Sequence, residues 1–428
     1  METPSISPAA VLVQFPPGCD SLLDRCVLIM HTMDPIEKAD LTLLLGEQWR
    51  ASIGAREDMH RSIQTMDIGR ANPPDKPLRH EGLEFVRPGF GVKVGKAGSL
   101  SSRIAILHAL ANVEQWAIDT ALDNMARFGY YTQAIAGTAL KNQIEHEETQ
   151  EFRMPNKFFD DFVQMASDEA KHFKWLNERL ESQGAHYGDL PVHASIWDSC
   201  TDTAKSALAR MAVVHMTIES RGLDVNPATI ARFDRSGDQD SAKMLQKIHE
   251  DEVTHVQIGH RWFCYLLKRH EGIGSGSEAI PASFGASGSQ DIDQDGDGDL
   301  YEFRQVIPEG QEDTVDLVEA QRRKRFQEVV VQYFKGALKP PFNTVDREKG
   351  GLTRGWYEPL VVVRERSGLK LAIRRAADKK AKEAEAAAPA STATEGLVDS
   401  GASSVQSAPE PVAPASNSQT APSTDAQA

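Results

Sequence analysis

Four segments of this chain carry apolar residues at helical spacing, and each segment also places acidic residues in its apolar stripe. The segments lie near residues 101–128, 156–183, 201–223 and 239–270. An apolar period of about 3.6 residues predicts long amphipathic helices, and nothing between them is typical of a β-meander. Four such helices can bury their stripes against one another. The sequence therefore predicts an all-α protein built on a four-helix bundle.

The acidic residues in these stripes follow a fixed order. The first and third stripes each contain a single Glu, whereas the second and fourth contain Glu-x-x-His pairs, whose two members share one helix face. The six residues are Glu114, Glu169, His172, Glu219, Glu252 and His255. Burying an ionised carboxylate in an apolar core costs on the order of several kcal/mol, so four of them require compensating cations.

Two single glutamates and two Glu-x-x-His pairs are the ligand set of ferritin-like di-metal carboxylate bundles. The sequence therefore predicts a ferritin-like bundle in which these six residues bind two transition-metal ions, with iron favoured over manganese. The alternative is that the four glutamates are separately solvated or form salt bridges.

Several other polar residues lie near this predicted site. His215 lies one turn before Glu219 on the same face, and it is a candidate extra ligand, a donor that orients a ligand carboxylate, or a core histidine. His108 is predicted to lie on the polar side of the first helix. Arg221 and Asp224 are predicted either to pair across the site or to cap the helix end and face solvent.

Composition divides the rest of the chain. Residues 1–84 are predicted to form an N-terminal helical extension and connector, and residues 85–270 the bundle. Residues 271–311 are a Gly-, Ser- and Asp-rich insertion. Residues 312–376 are predicted to form a C-terminal helix and a cap packed on the bundle, and residues 377–428 a charged and then disordered tail.

Two ordered segments, 187–198 and 338–360, are candidates for the roof of a pocket over the predicted metal site. They contribute five aromatic residues, Tyr187, Trp197, Phe342, Trp356 and Tyr357. The alternative is that these aromatics serve only in packing. The charged run around His146, between the first two bundle helices, is predicted to be a solvated loop or helix.

The insertion contains the run DIDQDGDGDLYEF, which resembles a calcium-binding loop because alternating Asp residues supply oxygen ligands around a turn. The candidate ligands are Asp291, Asp293, Asp295, Asp299 and Glu302. This register places Gly298 where an apolar residue is expected, and a register that starts at Asp293 places Arg304 where the bidentate acid belongs. A merely solvated acidic insertion is the alternative.

The overall charge argues against some classes of function. A formal net charge of −15 argues against a general binder of nucleic-acid backbones, although the basic stretch at 364–383 is a candidate contact for RNA or an anionic membrane. No apolar run approaches the roughly 18 residues of a membrane span. Four cysteines without paired spacing indicate buried, reduced thiols, and the first residues do not resemble a targeting leader. A cytoplasmic protein is therefore expected.

Several stretches carry a resemblance to a known family. They are HALANVEQWAIDTALD, DEAKHF, YGDLPVHASIWD, ARMAVVHMTIESRGLDV, DEVTHVQIGHRWF and LKPPFN. Over about 85–265 and 320–360 the chain resembles the ferritin-like family known as domain of unknown function four-five-five. The resemblance implies a ferritin-like bundle, distantly similar to tRNA-modifying di-iron monooxygenases, and no established substrate. Family members often have His where this chain has Asn112, which leaves position 112 without a predicted role.

Six protein ligands for two metals leave coordination positions open, which is typical of reactive rather than structural sites. The sequence therefore predicts an oxygen-dependent oxidoreductase or hydroxylase that uses dioxygen, an unknown small-molecule or RNA substrate, and an electron-donor protein. The alternative is a non-catalytic metal-binding or metal-sensing protein whose acidic insertion responds to calcium.

Overall fold

The computed structural model of the chain describes residues 13–57, 66–134, 149–271 and 312–361. Within these residues the protein is predominantly helical, which confirms the prediction of an all-α chain. The candidate calcium loop, His146, the basic stretch at 364–383 and the predicted tail lie outside the described residues. Among the described helices, none is both long enough and apolar enough to cross a membrane.

The helices differ widely in length. In chain order they are α1 (Leu22–Met30), α2 (Pro35–Glu57), α3 (Leu100–Phe128), α4 (Asn156–Ser182), α5 (Ser195–Asp202), α6 (Ala207–Arg210), a π-helix (Met211–Ile218), α7 (Glu219–Arg235), α8 (Gln239–Glu271), α9 (Glu312–Tyr333), α10 (Thr344–Lys349), α11 (Arg354–Tyr357) and a 3₁₀ turn (Glu358–Leu360).

Two helix pairs form the centre of the molecule. Helix α3 packs along α4, while α7 and the π-helix pack along α8, and α4 and α8 contact each other between the pairs. Most of their buried apolar residues belong to one continuous core that contains Ile118, Phe162, Met211 and Val256. The acidic residues of the four apolar stripes therefore meet inside one shared core.

The third bundle segment is not the continuous helix that was predicted over 201–223. Helix α5 ends at Asp202, and a new helix begins at Ala207 because the Ser206 hydroxyl accepts a hydrogen bond from the Ala209 N–H. The next eight residues are a π-helix, in which the Glu219 N–H bonds to the carbonyl five residues earlier, at Val214. A π-helix widens the turn, and such segments frequently occur at functional sites.

Helix α7 continues past the predicted end of this segment and contains Pro227. Proline has no N–H, so the carbonyl of Leu223 loses its usual partner in the helix. The side-chain amide of Asn343, which precedes α10, donates to that carbonyl at 3.2 Å. A residue distant in sequence thus supplies the hydrogen bond that the Leu223 carbonyl lacks within the helix.

The C-terminal segment is also fastened to α7 by a buried ion pair. The Arg347 guanidinium donates to both oxygens of Asp224, at 2.8 and 2.7 Å, and both side chains are buried. Arg221 lies 3.2 Å from Asp224 and also donates to the carbonyls of Lys339 and Pro341. Arg221 and Asp224 therefore hold the C-terminal segment instead of pairing across the predicted site.

Two short strands lie between the bundle helices, where the sequence predicted no β-meander. Strand β1 (Tyr130–Ala134) pairs antiparallel with β2 (Thr149–Arg153), between α3 and α4. Five-residue strands are too short to give a strong alternating pattern beside two long helices, so the sequence did not indicate this pair.

The N-terminal helices cover the outer side of α3 and α4. A buried ion pair joins Lys38 of α2 to Asp119 of α3, with distances of 2.9 and 3.0 Å. Burial lowers the pKa of Lys38 to about 7, although Asp119 opposes this shift. The Trp49 indole also donates to Asp160 of α4 at 2.9 Å. This cover leaves α3 with little solvent-exposed surface.

Candidate metal centre

Helices α3, α4 and α8 bring four side chains with metal-ligand atoms together in the core. One ligand atom from each of Glu114, Glu169, His172 and Glu252 lies within 4.8 Å of the others. All four residues are buried. This group of carboxylates and an imidazole could hold a metal ion.

His255 adjoins the same group. Its Nδ1 lies 2.9 Å from Glu169 Oε1 and 3.4 Å from Glu252 Oε2. On the other side, the Nδ1 of His172 lies 3.4 Å from Glu169 Oε2 and 3.5 Å from Glu114 Oε2. Both imidazoles therefore direct Nδ1 towards the carboxylates. Glu169 lies between them and presents one oxygen to each ring.

Glu219 is the first residue of α7 and lies at the more accessible side of this group, with its side chain 14% exposed. Its carboxyl interacts with those of Glu252 and Glu169, and burial and these two carboxylates raise its pKa well above the ordinary value. The structure thus places the sixth predicted residue next to the other five, while the tightest contacts are among those five.

Several ligand atoms in this cluster have no hydrogen-bond partner despite being buried. They are Glu114 Oε2, both oxygens of Glu169, Glu252 Oε2, and the Nδ1 atoms of His172 and His255. The atoms face one another at 2.9–3.5 Å, but the angles are not those of hydrogen bonds. An unsatisfied buried polar atom costs about 1–3 kcal/mol. Such a concentration of open lone pairs in a polar core fits a bound cation.

The electrostatics of the cluster also favour a cation. Burial, and next the charge of Glu169, raise the pKa of Glu114 well above the ordinary value. Burial would lower the pKa of both His172 and His255, but the surrounding carboxylates outweigh it and raise both. These groups therefore retain protons because the cluster has an excess of negative charge. Divalent cations would displace those protons.

Two aspartates beside the cluster were not predicted. The Nε2 of His172 hydrogen-bonds to Asp251 Oδ2 at 3.2 Å, and the Nε2 of His255 lies 3.7 Å from Asp168 Oδ2. Each aspartate immediately precedes the Glu of the pair on its own helix and faces the histidine of the other helix, so the arrangement is reciprocal between α4 and α8. Carboxylates that bind the outer nitrogen of a ligand histidine orient its ring. The sequence signal is the repeated pattern Asp-Glu-x-x-His, at 168–172 and 251–255.

These hydrogen-bonded aspartates are held in their ionised form. The His172 contact lowers the pKa of Asp251. Burial alone would raise the pKa of Asp168, but the nearby His255 imidazole, the Lys171 ammonium and hydrogen bonds from Gln164 lower it to about 2. An ionised acceptor on the outer nitrogen leaves the inner nitrogen of each imidazole free to act as a ligand.

His215 lies in the π-helix and is fully buried. Its Nε2 is hydrogen-bonded to the amide of Asn124, and its Nδ1 lies 3.9 Å from Glu219 Oε1. Burial, and next the charge of Arg210, lower the pKa of His215 to about 3, so the ring is neutral.

Gly259 allows α8 to approach the π-helix at this point. A Cβ at position 259 would lie 2.6 Å from the Cβ of His215 and 2.8 Å from its carbonyl oxygen. Both distances are too short for a real contact, and the second involves backbone. Glycine is therefore required for the spacing that places His215 beside the cluster.

The prediction that His108 lies on the polar side of its helix is wrong. His108 is buried, its Nε2 accepts hydrogen bonds from the Gly188 and Leu190 N–H groups at 2.9 and 3.3 Å, and its ring stacks on Tyr187. Burial lowers the pKa of His108. The segment around residues 187–192 covers this side of α3. The apolar spacing within one helix cannot indicate that another part of the chain covers its polar side.

The aromatic residues proposed as a pocket roof make packing contacts in the described structure. Tyr187 donates its hydroxyl hydrogen to Asn112, and Trp197 stacks on Trp116 with ring centroids 6.1 Å apart. Phe342 packs on Tyr357. The remaining member, Trp356, contacts Phe263, Phe326 and His260. These described contacts support the packing alternative.

The four cysteines are free, and three of them are buried, with Cys264 partly exposed. The expected burial thus holds for Cys19, Cys26 and Cys200.

Comparison with known proteins places the chain among uncharacterised relatives. The model of the family described as "Protein of unknown function (DUF455)" matches residues 31–279, more than half of the chain. An "Uncharacterized protein" of Haemophilus influenzae (strain ATCC 51907 / DSM 11121 / KW20 / Rd) is 32% identical over 196 residues, which are 46% of this chain and 60% of that protein. The chain thus matches about three fifths of the length of this relative. No solved structure gives a significant match.

Proposed function

The chain belongs to the family of unknown function DUF455, and we propose that it is a di-metal carboxylate protein of ferritin-like architecture that catalyses an oxygen-dependent oxidation or hydroxylation. The observation that carries this proposal is the buried cluster of carboxylates and imidazoles whose inward-facing atoms lack hydrogen-bond partners. The proposed ligands are Glu114, Glu169, His172, Glu219, Glu252 and His255.

The charge of the cluster supports two metal ions. Its four glutamates carry four negative charges when ionised, and two divalent cations supply four positive charges. A single divalent ion would leave two uncompensated carboxylates in the core, which is energetically costly. Glu169, with one oxygen towards each imidazole, would be within reach of ions held by either Glu-x-x-His pair.

The arrangement of the helices supports a ferritin-like bundle. The α3–α4 pair contributes Glu114 and the first Glu-x-x-His pair, and the pair formed by α7 and α8 contributes Glu219 and the second. Of the residues that the structure describes, we assign those within 85–270 to this bundle, those within 13–84 to its N-terminal extension, and those within 312–361 to a C-terminal cap.

The donor set favours iron over manganese, and both metals accept carboxylate and imidazole ligands. Bound ferrous ions would supply the electrons and Lewis acidity for activating dioxygen. The chain would supply the rest of the site: Asp168 and Asp251 orient the two imidazoles, and the surrounding apolar core excludes water from the reacting atoms. The more accessible position of Glu219 makes that side the expected approach for dioxygen, an organic substrate and an electron donor.

Metal content per chain tests the metal site. The full-length protein is purified without chelators, reconstituted anaerobically with ferrous iron, and measured by elemental mass spectrometry. We expect about two iron ions per chain, and we expect Glu169→Gln and Glu252→Gln to lose bound iron. Glu178→Gln is the matched control, because Glu178 lies on α4 with an exposed side chain. Wild-type protein without bound metal would overturn the proposal.

Oxygen consumption then tests the catalytic part. The iron-loaded protein with a chemical reductant should consume dioxygen faster than the Glu169→Gln variant treated identically. Equal rates in the two proteins, at full metal loading of the wild type, would show that the site binds metal without activating oxygen. That result would replace the enzyme proposal with a metal-binding one.

A further inference from the structure

A line of hydrogen bonds leads from a buried ion pair to His215. The Nη1 of Arg210 donates to Asp123 Oδ2 at 2.6 Å and to Asn124 Oδ1 at 3.3 Å. Arg210 and both of its partners are buried. A guanidinium has donors and no acceptor, so it must face the oxygen of the Asn124 amide. The orientation of that amide is therefore determined by Arg210.

The amide orientation determines the protonation of His215. With the Asn124 oxygen facing Arg210, its NH₂ group faces the Nε2 of His215. An NH₂ group of an amide can only donate, so Nε2 must accept and carries no proton. The neutral imidazole then holds its proton on Nδ1.

The protonated nitrogen faces the candidate metal centre. The Nδ1 of His215 is buried, makes no hydrogen bond in the described structure, and lies 3.9 Å from Glu219 Oε1. A nitrogen that carries a proton has no lone pair for a metal. We propose that His215 is not a metal ligand but a positioning residue whose Nδ1–H is directed at the carboxylate of Glu219 and orients it.

The three buried histidines thus have two different roles. The role depends on the residue that faces the imidazole nitrogen pointing away from the candidate metal centre. The outer nitrogens of His172 and His255 face the carboxylates of Asp251 and Asp168. An ionised carboxylate can only accept, so each outer nitrogen keeps its proton and the inner nitrogen is left as a ligand. The outer nitrogen of His215 faces an amide donor, so here the proton lies on the inner nitrogen instead. The metal-ligand role of the first two rests on the proposed function, whereas the proton position on His215 rests on its own hydrogen bonds.

Nuclear magnetic resonance of the metal-free, full-length protein tests the proton position. Long-range correlations between hydrogen and nitrogen in protein labelled with ¹⁵N-histidine distinguish a proton on Nδ1 from one on Nε2, and His215→Asn assigns the signals. We expect the proton on Nδ1 in the wild type. In Asn124→Asp an acceptor replaces the donor, so the proton should appear on Nε2. Asn112→Asp, another buried amide of α3 without a described contact to His215, should leave it unchanged.

The wild-type spectrum alone decides this point, even if a variant fails to fold. A proton on Nε2 would overturn the inference, whatever the metal content. A proton on Nδ1 in a protein that binds no metal would support the hydrogen-bond assignment and contradict the proposed function, so the two failures are distinguishable.

Metal affinity tests the positioning role. An Asn side chain can place an amide donor near the Nδ1 position, whereas Leu cannot donate. We therefore expect His215→Asn to retain wild-type affinity for ferrous iron and His215→Leu to weaken it about 10–100-fold, the usual effect of losing a group that orients a ligand. Both variants should still bind two ions per chain at saturation. Loss of one ion in both variants would identify His215 as a ligand and overturn the inference.

Discussion

Helix α3 contributes to two buried charge clusters. In one the charges are paired and hydrogen-bonded, and in the other they are not. In the first, Asp123 accepts hydrogen bonds from Arg210 at 2.6 Å and from Arg127 at 2.8 Å, and the remaining donors of Arg210 reach Thr203 and Cys200. In the second, which includes Glu114, the carboxylates outnumber the cationic groups and several ligand atoms have no partner. Both clusters are in the same protein core.

This difference in pairing distinguishes charged residues that stabilise the fold from charged residues that bind a ligand. A buried ion pair with all its hydrogen bonds made needs nothing from outside the chain. A cluster of unpaired lone pairs lowers the stability of the metal-free protein, and it is retained only if something else binds there. The two clusters should therefore respond in opposite directions when a charge is removed.

The largest effect is expected in the paired cluster. Arg210→Met removes the cation between Asp123 and Asn124 and should lower the free energy of unfolding by about 3–5 kcal/mol, because a buried carboxylate loses its partner. Urea denaturation should show this loss with and without metal. Arg70→Met, which breaks an exposed ion pair with Glu151, is the control and should cause no measurable change. A similar result for both variants would remove the distinction between the clusters.

The unpaired cluster should behave differently. Glu169→Gln removes one of the surplus carboxylates, so the metal-free variant should be at least as stable as the metal-free wild type. At one hundred times the dissociation constant, metal should stabilise the wild type by about 2.7 kcal/mol for each ion bound, and this gain should be absent in the variant. Glu178→Gln should keep the full gain. A metal-free Glu169→Gln protein as unstable as Arg210→Met would contradict the comparison.

A smaller loss is expected where α8 meets the π-helix, between the two clusters. Gly259→Ala places a methyl group 2.8 Å from the His215 carbonyl and should lower the free energy of unfolding by about 1–3 kcal/mol. Gly222→Ala is the matched control, because it lies in α7 with no atom within 4 Å of its added Cβ. That change should be neutral or stabilising, since alanine favours helix over glycine. Equal effects would show that the close approach is unimportant.

The smallest effect concerns pH. In the metal-free cluster the pKa values of Glu114, Glu219, His172 and His255 are all raised, so these groups retain protons to higher pH than usual. A metal needs their lone pairs and must release those protons. Metal affinity should therefore rise with pH, by about 1.4 kcal/mol per pH unit for each proton released. Calorimetry in buffers of different ionisation enthalpy measures the release, and affinity independent of pH would contradict the raised pKa values.

Much of the helical framework could be predicted from the sequence. The predicted segments at 101–128, 156–183 and 239–270 agree within one residue with α3, α4 and α8, because an uninterrupted apolar period defines a long helix. The third segment was less predictable. A π-helix differs from an α-helix in its hydrogen bonds and not in its residue types, and the donor that satisfies the helix at Pro227 comes from Asn343.

The candidate site was predictable to the extent that it depends on single helices. Helical spacing places Glu169 beside His172 and Glu252 beside His255, and these pairs do meet in the structure. Contacts that depend on how helices face each other were not predicted. They include the aspartates opposite each imidazole and the burial of His108 beneath a neighbouring segment.

The reciprocal contacts between α4 and α8 have a consequence for how the centre is built. Each imidazole takes its orientation from an aspartate on the opposite helix, so neither half of the repeated motif is complete on its own. During synthesis, α4 emerges long before α8, and a partly made chain has no competent centre to capture the wrong ion. The centre is therefore complete only when α4 and α8 have docked, and bound metal would report that these two helices are in contact.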